Sequence, residues 1–561
     1  MYLRQATANL GRRIRDISSR IVSSSGRTTI NSSPLLPSSS GKAKFYCHFG
    51  SGGYSWGTNQ NDSRLWILLG QAALIFGINP NLVLAEDASI QSGSENATEG
   101  ANVIGLRKIE DGSVVSNEHT SKWRIFTDNG RDYFMQGKLE EAEKFFLSAL
   151  QEAKEGFGER DPHVASACNN LAELYRVKKV FDKAEPLYLE AISILQESFG
   201  PEDIRVGAAC HNLGQFYLVQ RKLEDARICY ERALKVKGRV LGYGNIDYAD
   251  TMYHLGMVLY LQGKENDSEA LFQDSIRILE ENGQGESMAC IRRLRYLAQI
   301  YMKANRLAEA ENVQRKILHI MEISKGWKSL DTVIAAEGLA LTLQSTGSLR
   351  EAQELFERCL DARKKILPQD HIQVGANMLH IARVAMLNSN RLRKKNVSEA
   401  IDELGQAKEL LDNSRRIAWH VLNKSIKQKG ERQKYGASRE NLREGRTALV
   451  ILLQSLEALA LLETTKQELQ ESMDENLASY DAENALFECI SAYKEFENEK
   501  SISDSPEVKT EYLSCLKHLS SLIGYGNIDR RKQSKKATLQ ELKDEIKRIE
   551  VEISSNRRYK R

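Results

Sequence analysis

Proline is scarce in this chain: only eight of its 561 residues are proline. Because proline removes a backbone hydrogen-bond donor and breaks helices, so low a content is typical of a mostly helical protein. Hydrophobic residues make up 41% of the chain and charged residues 28%, which is a balance typical of globular helical domains. The net charge of +3 is close to neutral, so the composition gives no support to nucleic-acid binding.

The motifs of common catalytic and cofactor sites are missing as well. The sequence has no glycine-rich phosphate loop, no His-Glu-x-x-His and no nucleophile motif. Its eight cysteines include no Cys-x-x-Cys pair and no Cys/His cluster. We therefore expect them to be small buried apolar residues, with a metal or disulfide role as the alternative. The sequence predicts a protein that is not an enzyme and has no cofactor and no metal site.

The sequence does contain a repeat, which is clearest between Val164 and Gly242. Residues 167–175 (ACNNLAELY) return 42 positions later as residues 209–217 (ACHNLGQFY). Following this period outward gives a small residue at each expected place in a first helix: Gly130, Ala172, Gly214, Gly256, Ala298, Ala340 and Ala382. A second small column marks a partner helix: Ala142, Ala184, Ala226, Ser268, Ala310, Ala352 and, after a slip of six residues, Ala400. Helices approach closely only where side chains are small, so the paired columns predict stacked helical hairpins. Gly137, Gly263 and Gly347 fall in the tight turns between the two helices, where we expect a left-handed backbone.

These residues resemble the tetratricopeptide repeat, with the long period of kinesin light chain-like and nephrocystin-like arrays. The resemblance covers residues 121–411 and implies seven hairpins. It implies an all-α fold, a right-handed superhelical solenoid with a helical C-terminal cap, and a concave groove that binds peptides. Kinesin light chains carry a long heptad segment before their repeats. The sequence shows none there, which argues against kinesin heavy chain as a partner.

The segment before the repeats is typical of a targeting sequence. Residues 1–60 are rich in arginine and serine, contain Asp16 as their one acid, and place apolar residues at helical spacing. We expect a mitochondrial location, with the chloroplast as the alternative and the cytoplasm less favoured. Residues 61–120 are a hydrophobic segment and a flexible linker. The apolar stretch 65–84 is short for a membrane span of about 20 residues, and is predicted to be either a cleaved sorting signal or a membrane anchor.

The predicted array ends at Asp412. Residues 412–445 are interpreted as a basic linker or helix, and residues 446–529 as degenerate repeats that cap the solenoid. The cap contains a strongly apolar helix that must be buried, and its GYGNID at 524–529 repeats residues 242–247 letter for letter. Residues 530–561 are predicted to be a charged helix and a basic tail.

Candidate groove residues follow from their register in the first helices, which line the concave face of a stacked array. The amides of Asn170 and Asn212 offer both a donor and an acceptor to an extended peptide. Arginine beside aromatic residues is typical of hot spots that bind a peptide with acidic and apolar groups. The predicted peptide-binding set is Asn169, Asn170, Arg176, His211, Asn212, Tyr253, His254, Arg292, Arg295, Gln299 and Lys303.

The sequence thus favours a non-enzymatic protein–protein interaction scaffold or adaptor that binds an extended, acidic and apolar peptide segment inside an organelle. Residues 65–84 add a possible membrane association. Two alternatives stay open: a cytosolic cargo adaptor related to kinesin light chain, and a helical array that binds RNA. The groove is not uniformly basic, which disfavours RNA.

Overall fold

A computed structural model of this protein describes residues 118–431, 439–470, 475–525 and 532–558. These residues all belong to one compact unit of the chain, and every regular element within them is a helix. The predicted all-α fold is confirmed over these ranges. The predicted targeting segment, residues 1–60, and the apolar stretch, residues 65–84, lie outside the described residues.

From Glu118 to Glu431, the helices follow one another as seven hairpins. The first helices are α1 (Glu118–Met135), α3 (Pro162–Lys178), α5 (Ile204–Val219), α7 (Ile246–Leu261), α9 (Met288–Lys303), α11 (Leu330–Thr346) and α13 (Ile372–Leu392). The second helices are α2 (Leu139–Phe157), α4 (Phe181–Phe199), α6 (Leu223–Val240), α8 (Glu265–Glu281), α10 (Leu307–Lys325), α12 (Leu349–Ile366) and α14 (Val397–Glu431). Each helix packs mainly against the one before it and the one after it, which is the arrangement of a solenoid.

The two columns of small residues lie where the helices of a hairpin touch. Every member of the second-helix column is fully buried: Ala142, Ala184, Ala226, Ser268, Ala310, Ala352 and Ala400. In the first-helix column, a methyl group added to Gly130 would lie 2.6 Å from the ring of Phe146, and one added to Gly214 would lie 2.9 Å from the ring of Tyr230. Close-packed interiors do not tolerate such approaches, so the prediction drawn from the paired columns is confirmed.

The same period fixes how the first helices begin and how each hairpin turns. One residue before each of six first helices, a side chain accepts a hydrogen bond from a backbone N–H of the first turn: Asp161, Asp203, Asn245, Ser287, Ser329 and His371. Such a cap contributes about 1 kcal/mol. The turn within each of the first six hairpins holds a left-handed residue at the same spacing: Gly137, Lys179, Arg221, Gly263, Asn305 and Gly347. The predicted left-handed backbone at its three glycines is confirmed.

A repeated hydrogen bond joins successive hairpins. The hydroxyl of Tyr175 donates to Glu143 of the preceding hairpin at 2.9 Å. One repeat later, the hydroxyl of Tyr217 donates to Glu185, also at 2.9 Å. Identical contacts at equivalent positions show that neighbouring hairpins in this part of the array stack in the same way.

Helix α14 does not end at Asp412, where the sequence predicts the end of the array. It runs without interruption from Val397 to Glu431, so no helix end lies at that residue. Arg415, the first basic residue of the predicted linker, donates to Glu488 of a later helix at 3.0 Å. The described part of the predicted linker is therefore a packed continuation of the seventh hairpin, because its side chains find partners in the cap.

The C-terminal region is a further bundle of helices: α15 (Arg439–Leu469), α16 (Glu475–Phe496), the short α17 (Lys500–Ser503), α18 (Pro506–Tyr525) and α19 (Lys532–Arg558). Within α15, Leu442–Leu469 is long and apolar enough to cross a membrane, yet 94% of its most apolar window is buried inside the protein. It packs against α14, α16 and α18. The predicted buried apolar helix is thus the core of this region.

Two cysteines correct the expectation that all eight are isolated buried residues. Cys489 of α16 and Cys515 of α18 form a disulfide, at a sequence separation of 26 residues. Sequence spacing did not reveal the pair because the two residues meet only when α16 packs on α18. Five other cysteines are free: Cys168, Cys210, Cys229, Cys290 and Cys359.

Candidate functional site

The predicted groove residues lie on four successive first helices: α3, α5, α7 and α9. Five of these residues are buried, with at most 8% of their surface exposed: Asn170, His211, Asn212, Tyr253 and Gln299. Five more are partly exposed and one is exposed: Asn169, Arg176, His254, Arg292 and Arg295, and then Lys303. The members that a partner can reach are therefore those of the second group.

The asparagines pair with one another across neighbouring first helices. Asn212 Nδ2 donates to Asn169 Oδ1 at 3.0 Å, which joins α5 to α3. Asn170 is 3% exposed and lies in the interior. The register predicted that Asn170 and Asn212 face a peptide, but both residues are buried, and the Asn212 side chain turns to Asn169. Asn169 is the partly exposed end of the pair.

Two basic members of the set are held by acids of the array itself. Arg176 Nη2 donates to Glu173 Oε2 at 2.8 Å, and the fully buried Glu173 also accepts the hydroxyl of Tyr188. Burial opposes the charged form of Arg176, but Glu173 outweighs it and raises the arginine pKa above its ordinary value. Lys303 pairs with Glu265 of α8. Lys303 thus links α9 to α8, whereas Arg176 is held by an acid of its own helix.

Tyr253 is the centre of an aromatic cluster between α7 and α9. The guanidinium of Arg293 lies 4.7 Å from the centroid of its ring, a cation–π contact. The rings of His254 and Tyr296 lie 5.1 Å and 6.0 Å away, edge to face. Burial lowers the pKa of Arg293, whose side chain is 1% exposed. The cluster therefore fixes the orientation of His254 at the surface.

A histidine–aspartate cluster joins α5 to α7. His211 Nε2 lies 3.9 Å from Asp250 Oδ2, and His254 Nδ1 lies 3.6 Å from the same oxygen. Arg293 Nη2 lies 3.3 Å from the other carboxylate oxygen. Burial opposes ionisation of Asp250, but His254, Arg293, His211 and Lys237 outweigh it and hold its pKa below the ordinary range. Asp250 is therefore a carboxylate at neutral pH.

Comparison with known protein families identifies the repeat. The family model described as tetratricopeptide repeat matches residues 124–197, 205–281 and 287–365. Each match spans two consecutive hairpins of the fold. The first six hairpins are tetratricopeptide repeats.

Solved structures show similar tetratricopeptide arrays. Nearly identical TPR-like repeats of a protein designated as a kinesin light chain from Podosopora anserina are 18% identical, with 37% of this chain and 99% of that chain covered and a TM-score of 0.34. The apo form of RapI is 11% identical, with 68% and 99% covered and a TM-score of 0.41. The apo quorum sensor NprR from B. thuringiensis is 14% identical, with 75% and 98% covered and a TM-score of 0.39. These values carry no information about a ligand. Comparison with curated protein sequences finds no match.

Tetratricopeptide repeats are in general non-enzymatic scaffolds for protein–protein interaction, and this chain carries such repeats between residues 124 and 365. Within its array, the sequence analysis missed Asp250, Gln215 and Arg293. Asp250 precedes His254 by four residues, so the two share one face of α7. This spacing is visible in the sequence and could have revealed the pair. His211 reaches them only because α5 packs beside α7, which residue spacing does not reveal.

Proposed function

We propose that the tetratricopeptide array captures an extended segment of a partner protein along the exposed edge of its first helices. The partly exposed residues Asn169, His254, Arg292 and Arg295 lie on α3, α7 and α9, which places amide, imidazole and guanidinium groups on the second, fourth and fifth hairpins. A partner that lies across them meets several shallow contacts rather than one deep pocket.

The observation that carries this proposal is the pair of partly exposed arginines on α9. Arg292 and Arg295 lie three residues apart and therefore on one face of the helix, beside the aromatic cluster around Tyr253. Guanidinium groups bind carboxylates through paired hydrogen bonds, and the partly exposed ring of His254 offers an apolar face. The preferred segment is therefore one with acidic residues next to an apolar anchor.

Site-specific cross-linking tests the surface directly. Benzoylphenylalanine is introduced at Asn169 in the full chain, and at exposed Arg350 on the second helix α12 as the matched control. Peptides selected against the wild-type chain should cross-link at position 169 and not at position 350. Equal cross-linking at both positions would place binding elsewhere.

Affinity measurements provide a second test of the proposed surface. Arg292→Ala/Arg295→Ala should weaken an acidic selected peptide at least tenfold, which is about 1.4 kcal/mol. Arg350→Ala/Lys364→Ala removes the same charge from exposed positions of α12 and should change affinity less than twofold. Equal weakening by both variants would mean that general charge attraction, not the proposed surface, carries binding.

We also propose that the scaffold works inside an organelle, most favourably the mitochondrion. The arginine- and serine-rich composition of residues 1–60 supports this. Import of the full chain into isolated mitochondria and chloroplasts, followed by protease protection and sequencing of the mature N-terminus, tests it. An uncut and unprotected chain would favour the cytosolic adaptor instead.

A further inference from the structure

The cluster of His211, Asp250 and His254 contains three side chains of metal-ligand type. One ligand atom from each lies within 4.8 Å of the other two. Asp250 and His254 are four residues apart on α7, so they share one helix face, and His211 enters from α5. Imidazole nitrogen with carboxylate oxygen is a donor set that suits divalent zinc and copper.

Hydrogen bonds fix the tautomer of His211. Its Nδ1 lies 3.1 Å from Thr251 Oγ1. The Thr251 hydroxyl donates its single hydrogen to the carbonyl of Asp247 at 3.0 Å, so it can only accept from the histidine. The proton of His211 is therefore on Nδ1, and its Nε2 carries the lone pair that a metal requires.

His254 is fixed in the same way. Its Nδ1 donates to the backbone carbonyl of Asp250 at 2.9 Å, which leaves the lone pair on Nε2. The side-chain nitrogen of Gln215 lies 3.3 Å from Nε2 of His211 and 3.4 Å from Nε2 of His254. With both imidazoles in this tautomer, the Gln215 amide can donate to each of them, and the two Nε2 atoms lie on either side of its nitrogen.

The spacing of these groups is close to that of a tetrahedral centre. Bonds of about 2.0–2.1 Å to zinc separate tetrahedral ligand atoms by about 3.4 Å. Asp250 Oδ2 lies 3.9 Å from His211 Nε2, and the Gln215 nitrogen marks a point near both imidazoles. Asp250 Oδ2 lies 3.6 Å from Nδ1 of His254, so the carboxylate has to turn toward Nε2. All three ligand atoms lie within 4.8 Å of one another, so closing them on one ion, with Gln215 swinging aside, takes side-chain movements of up to about 1.4 Å.

Every ligand of this cluster also has an outer partner, as metal ligands in proteins do. Arg293 Nη2 lies 3.3 Å from the Asp250 oxygen that faces away from the imidazoles. Lys237 donates to Thr251 Oγ1 at 2.9 Å, behind His211. The ring of Tyr230 stacks on His254 and meets His211 edge to face, with centroids 5.6 Å and 5.3 Å apart. The two imidazoles are thus held in place before any ion arrives.

We propose that His211, Asp250 and His254 form a binding site for one divalent transition-metal ion of the zinc or copper class, between the third and fourth hairpins. Arg293 and Lys237 are cations beside the site, so they lower its affinity, and copper should bind more tightly than zinc. The site does not rest on the proposed peptide binding, because it is tested with metal ions alone.

The experiment uses the full chain and measures zinc and copper binding by calorimetry and copper binding by electron paramagnetic resonance. We expect one equivalent of zinc or copper to bind with high affinity, and the spectrum of the bound copper to show hyperfine coupling to two nitrogen atoms. His254→Ala and Asp250→Asn should each weaken binding at least tenfold. Lys237→Met should tighten it, because it removes a nearby positive charge while keeping the apolar stem. Circular dichroism confirms that each variant is folded.

The matched control is His119→Ala. His119 belongs to a second cluster, with Glu152 and Glu155, whose ligand atoms also lie within 4.8 Å of one another. If His119→Ala no longer binds the metal ion with high affinity and His254→Ala still does, the proposal is overturned. A wild-type copper spectrum with no coupling from two nitrogens would also overturn it, and that result needs no variant to fold.

Discussion

Replacing Arg363 with methionine should destabilise the array around α12 by about 3–5 kcal/mol. Arg363 on α12, Glu337 on α11 and Asn377 on α13 form a hydrogen-bonded network with at most 1% of each residue exposed. Arg363 Nη2 donates to Glu337 Oε2 at 2.6 Å, and its Nη1 donates to Asn377 Oδ1 at 2.5 Å. Asn377 Nδ2 donates to Glu337 Oε1 at 2.6 Å. Three successive helices thus depend on one guanidinium.

The magnitude comes from the carboxylate that the substitution leaves behind. Burial already raises the pKa of Glu337, while Arg363 and Asn377 oppose that rise. Without Arg363, the pKa should rise further, since nothing compensates for lost hydration. A carboxyl whose folded pKa exceeds its unfolded value destabilises the fold increasingly as pH rises between the two values. The loss of unfolding free energy in Arg363→Met should therefore be larger at pH 8 than at pH 5.

Urea unfolding followed by circular dichroism measures the loss, and hydrogen exchange locates it. Protection should fall mainly in α11, α12 and α13, because hairpins of a solenoid contact only their neighbours. Arg350→Met, at an exposed position of the same helix, is the control and should change stability by less than about 0.5 kcal/mol. Arg363→Met/Glu337→Gln should recover part of the loss because the buried charge is gone. A loss below about 1 kcal/mol in Arg363→Met would refute the reasoning.

Three further predictions test other parts of the fold. Gly214→Ala should destabilise by about 1–3 kcal/mol because its methyl group meets the ring behind it, while Gly338→Ala, in an open helical position, should stabilise by about 0.5–1 kcal/mol. Cys489→Ser should lower stability by about 3.5 kcal/mol, the loop-closure value for a loop of 26 residues. Burial raises the pKa of Glu511 from 4.5 to about 7, so stability should fall by up to about 3 kcal/mol as pH rises through that interval, and Glu511→Gln should flatten the profile.

Thermal and urea unfolding at fixed pH measure the first two effects, and a pH series measures the third. Equal effects of Gly214→Ala and Gly338→Ala would contradict the close approach assigned to Gly214. Peptide mapping without reductant must show Cys489 linked to Cys515; free thiols at both positions would contradict the disulfide. A wild-type stability that rises from pH 4.5 to 7 and rises equally in Glu511→Gln would remove Glu511 as a titrating group.

Local rules that repeat with the chain were predicted well from the sequence. Gly214 and Ala226 belong to two columns in which every hairpin needs a small residue. One small residue says little by itself, but its recurrence in seven hairpins predicts the fold. The left-handed turn at Gly137 followed from glycine's freedom at positive φ. Its equivalents at Lys179 and Arg221 were not predicted, because neither residue type indicates that backbone.

The candidate site was predicted less well, because burial depends on the neighbouring helix. The register predicts that Asn170 points into the concave face, yet it is only 3% exposed in the stacked array. Asp250 belongs to the histidine–aspartate cluster only because His211 of α5 and Arg293 of α9 lie beside it in the folded array. Each of these contacts joins residues about 40 positions apart.

The sequence by itself determined the helical content, the 42-residue period and the contact surfaces within each hairpin, because these depend on side-chain size and backbone preference at short range. Tertiary structure alone decided which side chains of one hairpin face the next. It set the burial of Asn170, the pairing of Cys489 with Cys515, the passage of α14 through Asp412 and the meeting of His211 with Asp250 and His254. The physical reason is that stacking between hairpins depends on small rotations between helices, and no single repeat encodes them.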